Sequence, residues 1–336
     1  MLDSNYTTAK VLGDVQYRYY HVPPAAGSDK PYILFLHGCP SSSWDWRHQL
    51  DYFTGRGYGV IAPDLLGYGG TDKPADLPGY RGKKMTAEVA AILDRENVAK
   101  VVGVGHDWGS HLLSRMVNYY PDRFLAFAFL SIMYSPPGGH FDLDAANAAF
   151  KQAIGFEAFG YWKFFNSPDA GQLMLDNFDS TWCLFYPEEP EIWREHLAPV
   201  GAFRDWLTAK KTTKMASFVT EEEKQKHRAI FSPENGGYDR MLNWYRSTIA
   251  NVNEEDEKTI PEAQYEITHP TLLITAARDP LALTGLGVQH TREHIAEDLL
   301  EIKPVDTGHW VQLEAAQEVN AMLEDFITRK AKNARI

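Results

Sequence analysis

One acidic residue lies in a sequence context typical of a catalytic nucleophile. The apolar run VVGVG of a predicted strand leads through Gly105 to Asp107 and Gly109, after which a helix is predicted. Glycines two places before and two after a residue allow a sharp turn from strand to helix, which exposes that residue at the sheet edge. A carboxylate there can attack an electrophilic sp³ carbon and form an alkyl ester that water must hydrolyse, and the helix N-terminus favours its charge. The alternative is a glycine-bounded turn with an ordinary surface Asp.

The loop after an earlier predicted strand could bind an oxyanion. The strand YILFL is followed by His37, Gly38, Cys39 and Pro40, where this architecture places its second oxyanion donor. The backbone N–H groups of Cys39 and Trp108 would bind the oxyanion that forms when water attacks the ester carbonyl. We expect the Cys39 thiol to fill space and not to react, because the loop supplies no base.

An acid and a base follow the nucleophile in the chain. Asp279 comes directly after the predicted strand TLLITAAR, and His309 comes after the strand EIKPV. The order nucleophile, acid, base is the one expected when a nucleophile elbow is followed by the rest of a catalytic triad. His309 would take a proton from water, and Asp279 would orient the imidazole and stabilise its charged form. Separately, Asp279 could be only a helix cap and His309 only a loop histidine.

The elements that carry these residues alternate between strands and helices. Residues 1–133 hold five apolar strands with helical stretches between them, and the alternation resumes after residue 262. Several of the strands are apolar almost throughout, which is typical of a parallel sheet covered by helices on both faces. Residues 134–262, here called the insert, lack this alternation and are rich in aromatic residues and acidic loops. The sequence therefore predicts an α/β core of residues 1–133 and 263–336, interrupted by a helical insert.

At this point the chain resembles the α/β-hydrolase superfamily, and specifically the soluble epoxide hydrolases. The resemblance covers essentially the whole length and is carried by the blocks HGCPSSSWDWRHQL, DLLGYGGTDKP, VGHDWGS, TLLITAARD and DTGHWVQLEAAQEVN. It implies an α/β-hydrolase fold, with a mostly parallel central sheet and with the insert acting as a helical cap. It also implies hydrolysis of lipophilic epoxides to vicinal diols with no metal or organic cofactor.

The resemblance extends to two tyrosines of the insert. Family members carry two tyrosines on the cap above the nucleophile, and the matching positions are Tyr245 in LNWYR and Tyr161 in GYWKFFNSP. A phenol is protonated at neutral pH, so it can hydrogen-bond the epoxide oxygen and donate its proton as the ring opens. The alternative is that both are ordinary core residues. Four further side chains are expected to line the substrate pocket: His106, Trp162, Phe165 and Trp310.

Two other functions compete with this interpretation. A haloalkane dehalogenase shares the fold, the Asp nucleophile and the base, but its common first loop reads His-Gly-Asn-Pro, whereas position 39 here is Cys39. The tyrosine pair favours epoxide opening, since a leaving halide needs no proton. A ligand receptor on the same fold is the second alternative, because fold does not determine function. A receptor is expected to lack a triad member or a phenol, and none is missing.

Two sequence motifs resemble cofactor-binding patterns, but their positions in the chain argue against a metal or nucleotide site. His290 and His294 form the H-x-x-E-H pattern of inverted zincins, but this pattern lies on the helix predicted to connect the Asp279 and His309 strands. Gly103 and Gly105 open a dinucleotide-like pattern in which Trp108 occupies the third glycine position. The sequence therefore predicts neither a metal site nor a nucleotide cofactor.

Composition restricts the partners and the compartment. The 33 Lys and Arg against 45 Asp and Glu give a formal charge of −12, which disfavours nucleic acid and anionic membranes as partners. Two cysteines are too few for a disulfide scaffold, and MLDSNYTTAK lacks the features of a signal peptide, so a cytoplasmic location is expected. Ala334-Arg335-Ile336 loosely resembles a peroxisomal tripeptide, which leaves that location open. The expected partners are a small epoxide and water, and the oligomeric state stays undefined.

Overall fold

A single eight-stranded sheet organises the chain in a computed structural model that describes residues 2–331. Its order is β1-β2-β4-β3-β5-β6-β7-β8, with β1, β2 and β4 paired antiparallel and the other pairs parallel. The mostly parallel sheet predicted from the sequence is confirmed. The strands are β1 (Tyr6–Lys10), β2 (Gln16–Val22), β3 (Tyr32–Leu36), β4 (Gly59–Pro63), β5 (Val101–His106), β6 (Phe124–Leu130), β7 (Thr271–Ala276) and β8 (Leu300–Val305).

The central strands are buried on both faces. Every residue of β5, β6 and β7 is buried, and successive side chains of β6 enter two different cores. Phe127 and Phe129 join the core that continues into the insert, whereas Ala126 and Ala128 join the core on the opposite face. Because strand side chains alternate between faces, two covered faces require a continuous apolar run.

Helices cover both faces of the sheet. Those of the core segments are α1 (Arg47–Thr54), α2 (Gly82–Arg95), α3 (Trp108–Tyr119), and, after the insert, α13 (Thr284–Glu293), α14 (Val311–Glu314) and α15 (Ala316–Lys330). The insert contains α4 (Leu143–Ile154), α5 (Gly160–Phe165), α6 (Ala170–Asp176), α7 (Phe178–Phe185), α8 (Trp193–His196), α9 (Ala202–Thr208), α10 (Glu221–Ile230), α11 (Asn243–Ile249) and α12 (Glu254–Glu257).

Short 3₁₀ helices connect many of these elements. They span Leu2–Asn5, Ser43–Trp46, Leu77–Tyr80, Pro121–Arg123, Pro190–Ile192, Pro233–Asn235, Arg240–Leu242, Glu262–Gln264 and Glu297–Leu299. Among residues 2–331, no helix combines the length and the apolar character needed to cross a membrane. The tripeptide Ala334–Ile336 lies outside the described residues.

The insert packs on the sheet edge at which β5, β7 and β8 end. Its aromatic side chains belong to the same buried cluster as side chains of β3 and α3. The Trp244 indole N–H donates to the Leu66 carbonyl at 2.8 Å, and the Trp310 indole N–H donates to the Phe185 carbonyl at 2.8 Å. Arg47 forms an ion pair with Glu223 of α10 across the same junction. These contacts hold the insert against the edge that carries the candidate site.

Candidate active site

Asp107 lies on a strained turn between β5 and α3. Its backbone has φ +53° and ψ −121°, a conformation that residues other than glycine rarely adopt. The turn also needs glycine on either side, because a Cβ at Gly109 would lie 2.0 Å from the Leu36 carbonyl oxygen. A Cβ at Gly105 would lie 2.7 Å from the carbonyl oxygen of Gly109. The strand-to-helix turn expected from the glycine spacing is therefore present.

The Asp107 carboxylate is held by backbone donors. The Cys39 N–H donates to Asp107 Oδ1 at 2.7 Å, and the Trp108 N–H also bonds this carboxylate. Burial raises the pKa of Asp107, while the charge of His309 and the two N–H groups act in the opposite direction without cancelling the rise. Both of the N–H groups expected as oxyanion donors thus bond the Asp107 carboxylate, and the donor on Oδ1 is Cys39.

His309 lies between two carboxylates. Its Nδ1–H donates to Asp279 Oδ2 at 2.6 Å, and its Nε2 lies 3.7 Å from Asp107 Oδ2. Asp279 Oδ1 accepts the N–H groups of Leu281 at 2.9 Å and Ala282 at 3.2 Å, which fixes the carboxylate. Burial alone would lower the pKa of His309, but Asp279 and Asp107 together raise it above the ordinary value. The structure therefore brings the three sequence-predicted triad residues together.

The backbone of His309 is fixed by two side chains from neighbouring strands. The Ser131 hydroxyl donates to its carbonyl at 2.6 Å, and His106 Nε2–H donates to the same oxygen at 2.8 Å. Burial holds the pKa of His106 well below its ordinary value, so this ring is neutral. On the other side of the loop, Glu314 accepts the N–H groups of Gly308 at 2.8 Å and Trp310 at 3.2 Å. The loop that carries His309 consequently has little freedom to move.

Both predicted tyrosines lie above this triad. Tyr161 is on α5 and Tyr245 is on α11, and their ring centroids are 6.0 Å apart. The Tyr245 ring stands edge-on to the ring of Trp108, the residue after the nucleophile, at 5.0 Å. Burial raises the pKa of both phenols, and the nearby Asp107 charge adds to the rise. Both groups are therefore protonated at neutral pH and can donate.

The four expected pocket residues divide into two pairs. Trp162 and Phe165 surround Tyr245, with ring centroids 5.1 Å and 4.8 Å from it. His106 and Trp310 are fully buried and lie behind His309, with ring centroids 4.7 Å and 5.0 Å from the imidazole. The first pair thus lies beside one of the two tyrosines, whereas the second pair lies beside the imidazole of His309.

One aromatic residue near the base carried no sequence signal. Trp193 of α8 places its ring 5.4 Å from the ring of His309. It follows the acidic loop PEEPE, and no motif distinguishes it from the other tryptophans of the insert. An aromatic position aligned across many relatives could have shown it, but a single sequence could not.

One surface cleft and the zincin-like pattern both lie away from the triad. A cleft of about 300 Å³ lies at the junction of insert and core, between Arg18, Trp44 and Ile230, and Asp107 is not among its lining residues. Asp107 itself has a side chain 18% exposed beneath the insert. Within residues 2–331, no three His, Cys, Asp or Glu side chains are grouped to hold a metal ion. The second histidine of the zincin-like pattern, His294, follows the end of α13 and lies 3.3 Å from Glu266.

Comparisons with known proteins agree on one class. A family described as having the alpha/beta hydrolase fold matches residues 31–316. Epoxide hydrolase A of Mycobacterium tuberculosis is 30% identical over 305 residues, which cover 89% of this chain and 90% of that protein. Epoxide hydrolase 3 of Siraitia grosvenorii is 29% identical over 313 residues, which cover 89% and 92% of the two chains. An epoxide hydrolase structure from an endophytic Streptomyces superposes with a TM-score of 0.79 at 27% identity, over 96% of this chain and 95% of the other.

Proposed function

The chain belongs to the epoxide hydrolases of the α/β-hydrolase superfamily, and from this premise we propose that Asp107 is the nucleophile of a two-step hydrolysis. One observation carries the proposal. Asp107, with Oδ1 held by the Cys39 N–H at 2.7 Å, lies beneath two protonated phenols and beside a histidine that is already paired with Asp279.

The first step opens the epoxide. Asp107 Oδ2 forms a bond to one ring carbon, and the bond between that carbon and the epoxide oxygen breaks. The oxygen takes a proton from Tyr245 or Tyr161, so that no free alkoxide has to form. Two phenols on one side of the substrate and a carboxylate on the other would also hold the epoxide in line for attack. The product is an ester between Asp107 and one hydroxyl of the future diol.

The second step hydrolyses the ester. His309 Nε2 takes a proton from water while the water oxygen bonds to the Asp107 carboxyl carbon, and Asp279 stabilises the imidazolium that forms. Negative charge then develops on Oδ1, which already accepts the Cys39 N–H, and the Trp108 N–H bonds the same carboxyl group. Collapse of this intermediate breaks the bond between the carboxyl carbon and Oδ2, so the diol leaves with Oδ2 and with the proton from the imidazolium. Asp107 is left as a carboxylic acid that contains the water oxygen, and transfer of its proton to the tyrosinate restores the free enzyme.

The insert would act as a cap domain, with residues 134–262 covering a core formed by residues 1–133 and 263–336. The rings of Trp162 and Phe165 beside Tyr245 support a preference for lipophilic epoxides, because they offer apolar contacts next to the acid. His106 and Trp310 would hold His309 in place and not contact substrate. The reaction needs only an epoxide and water, and the cytoplasm is the proposed compartment.

The test compares two epoxides with an alkyl halide. Purified protein is incubated with styrene oxide, trans-stilbene oxide and 1-bromobutane, and we expect diol from the epoxides and no bromide from the halide. Release of bromide alone would contradict the proposal and favour a dehalogenase. The absence of any product would favour a ligand-binding protein.

The two-step scheme has its own test in the His309→Gln variant. We expect this variant to accumulate a covalent adduct on Asp107 with a mass increase equal to the substrate, because ester formation does not need the base. In a single turnover of the unmodified enzyme in ¹⁸O water, the diol should carry mostly unlabelled oxygen from Asp107. Predominant solvent label, together with no adduct under rapid quench, would indicate direct attack by water.

A further inference from the structure

Trp193 of the insert packs directly on the ring of the proposed base. The centroids of the two rings are 5.4 Å apart and their planes are inclined by 54°. Trp193 is only 4% exposed, so the contact is shielded from bulk water. The other two rings around His309, those of His106 and Trp310, come from the core segments. Trp193 is therefore the ring through which the insert reaches the base.

The position of Trp193 is well determined. Its indole N–H donates to the Leu184 carbonyl at 2.6 Å, which ties α8 to the end of α7. Three residues earlier, Pro190 packs against the loop that carries His309 so closely that a Cβ at Gly308 would lie 2.6 Å from Pro190 Cγ. The segment from Pro190 to Trp193 is thus seated on the loop of the base by two independent contacts.

The charged and titratable groups around His309 come from several elements. Asp279 lies at 2.6 Å from Nδ1, and Asp107 lies at 3.7 Å from Nε2. Glu314 contributes a further negative charge from α14, and His106 is neutral. In the ester intermediate Asp107 has lost its charge, so one of the anions that stabilise an imidazolium is absent when His309 takes its proton. The electron-rich face of an indole attracts a cation, and it does so most strongly where water is excluded.

We propose that Trp193 is a positioning residue that stabilises the imidazolium of His309 during ester hydrolysis, acting from the insert on the base and not on the substrate. The inference rests on the proposed function, in which His309 is the base of the second step. It makes ester hydrolysis, and not ester formation, the step that depends on Trp193. It also makes the hydrolytic half of the reaction depend on the packing of the insert against the loop that carries His309, because the ring belongs to the insert.

The test uses three variants of the full chain. Trp193→Phe keeps an aromatic face, Trp193→Leu keeps an apolar side chain without that face, and Trp206→Leu is the matched control. Trp206 is likewise a buried tryptophan of the insert, with its N–H bonded to the Ser180 carbonyl at 2.9 Å, but its ring neighbour is His196. Rapid-quench single turnovers with styrene oxide measure ester formation and ester hydrolysis separately, each as a function of pH.

We expect Trp193→Leu to slow ester hydrolysis roughly 5- to 30-fold, the range of a desolvated cation–π contact. The hydrolysis rate falls at low pH, and this fall, the acid limb of the pH–rate profile, should move to lower pH in Trp193→Leu. The reason is that the imidazolium loses stabilisation, so the pKa of His309 falls. The rate of ester formation in Trp193→Leu should stay close to that of the unmodified enzyme. Trp193→Phe should retain most of the hydrolysis rate, and its acid limb should lie at the same pH as in the unmodified enzyme.

Two results would overturn the inference alone, and a third would contradict the proposed function on which it rests. Ester hydrolysis at the normal rate in Trp193→Leu would show that the contact has no role. Equal slowing of both steps with an unmoved limb, as expected of Trp206→Leu, would reduce Trp193 to a packing residue. The absence of any ester on Asp107 in the unmodified enzyme would instead contradict the two-step mechanism itself.

Discussion

At Asp107 the two carboxylate oxygens have different surroundings, and this difference divides the chemistry between them. Oδ1 accepts the Cys39 N–H at 2.7 Å, whereas Oδ2 faces His309 Nε2 at 3.7 Å. A carboxylate whose oxygens were both held by N–H groups would be a weaker nucleophile, since each hydrogen bond draws charge from it. In the proposed second step the hydrogen bond from the Cys39 N–H would gain strength, when a full charge develops on Oδ1. In the proposed reaction, one residue would thus serve first as nucleophile and then as electrophile.

The pH dependence of ester hydrolysis should reflect the raised pKa of His309. The base must be neutral to accept a proton, so the rate is full above its pKa and falls as the pH drops through it. Asp279 raises this pKa also when Asp107 is esterified and uncharged, so the fall in rate at low pH should be centred above the ordinary pKa of 6.5. Single-turnover hydrolysis of the preformed ester, followed from mildly acid to mildly alkaline pH, measures this fall. A fall centred well below 6.5 would show that burial of the ring outweighs the Asp279 carboxylate.

Loss of one phenol should affect the two steps unequally. Tyr245→Phe removes a proton donor that acts only while the epoxide ring opens, so ester formation should slow by roughly 100-fold and hydrolysis by far less. Tyr134→Phe is the matched control, because this buried phenol donates to the Tyr265 carbonyl at 2.7 Å, away from the site. Rapid-quench measurement of the ester separates the steps. Equal slowing of both would mean that Tyr245 only positions the substrate.

At the scale of elements, the close approach of the loop after β3 to the turn after β5 builds the site. Gly38 lies so near the nucleophile that a Cβ there would come 2.2 Å from Asp107 Oδ1. This proximity allows the N–H of Cys39 to reach the Asp107 carboxylate. The two strands are paired in parallel along their whole length, from Tyr32 opposite Val101 to Leu36 opposite Gly105, so their ends meet at the same edge.

Gly38→Ala should therefore abolish most of the activity without unfolding the protein. The added methyl group must displace either the loop or the Asp107 side chain, and a shift of about 1 Å at a reacting group can cost roughly 100-fold in rate. Gly285→Ala, at a helical glycine whose Cβ would meet no atom within 4 Å, is the control and should keep full activity. Initial rates of diol formation and the melting temperature of each variant provide the comparison. Full activity in Gly38→Ala would contradict the geometry of the oxyanion loop.

At the scale of the whole molecule, a buried ion pair joins the insert to the core near the point where the chain leaves β6. Arg115 of α3 is 1% exposed and lies 2.9 Å from Glu257 of α12, and it also donates to the Ser135 carbonyl. Glu257 accepts in addition the N–H of Gly138 at 2.7 Å. One carboxylate thus connects the first and the last stretches of the insert to a helix of the core.

Removal of the Glu257 carboxylate should lower the stability of the fold. Glu257→Ala leaves the buried Arg115 without its counter-ion, and we expect the free energy of unfolding to fall by about 3–5 kcal/mol. Glu255→Ala, on the same short helix but with a side chain 86% exposed beside Lys258, should change it by less than about 0.5 kcal/mol. Urea denaturation of both variants measures the difference. Similar values for the two would show that Arg115 finds another partner.

The strands of the fold could be predicted to different degrees. Those with continuous apolar runs, such as β5, β6 and β7, were predictable because burial on both faces leaves no polar position. The edge strand β1 was not predicted, since Thr7 and Thr8 are exposed and only Ala9 of its five residues is buried. It forms because pairing with β2 satisfies its backbone groups, and no apolar pattern marks that kind of stabilisation.

The sequence by itself determined the chemical types of the candidate catalytic side chains, their order along the chain and the backbone turn at Asp107. Gly105, Asp107 and Gly109 define one backbone conformation within five residues, which is why the turn that carries Asp107 could be predicted from spacing. Only the tertiary structure decided the distances between groups far apart in the chain: 2.6 Å between His309 and Asp279, and 5.4 Å between the rings of His309 and Trp193. The physical reason is that local spacing limits the backbone directly. The contact between His309 and Asp279 depends instead on the pairing of β7 with β8, and the contact with Trp193, more than 100 residues away, depends on how the insert packs against the sheet.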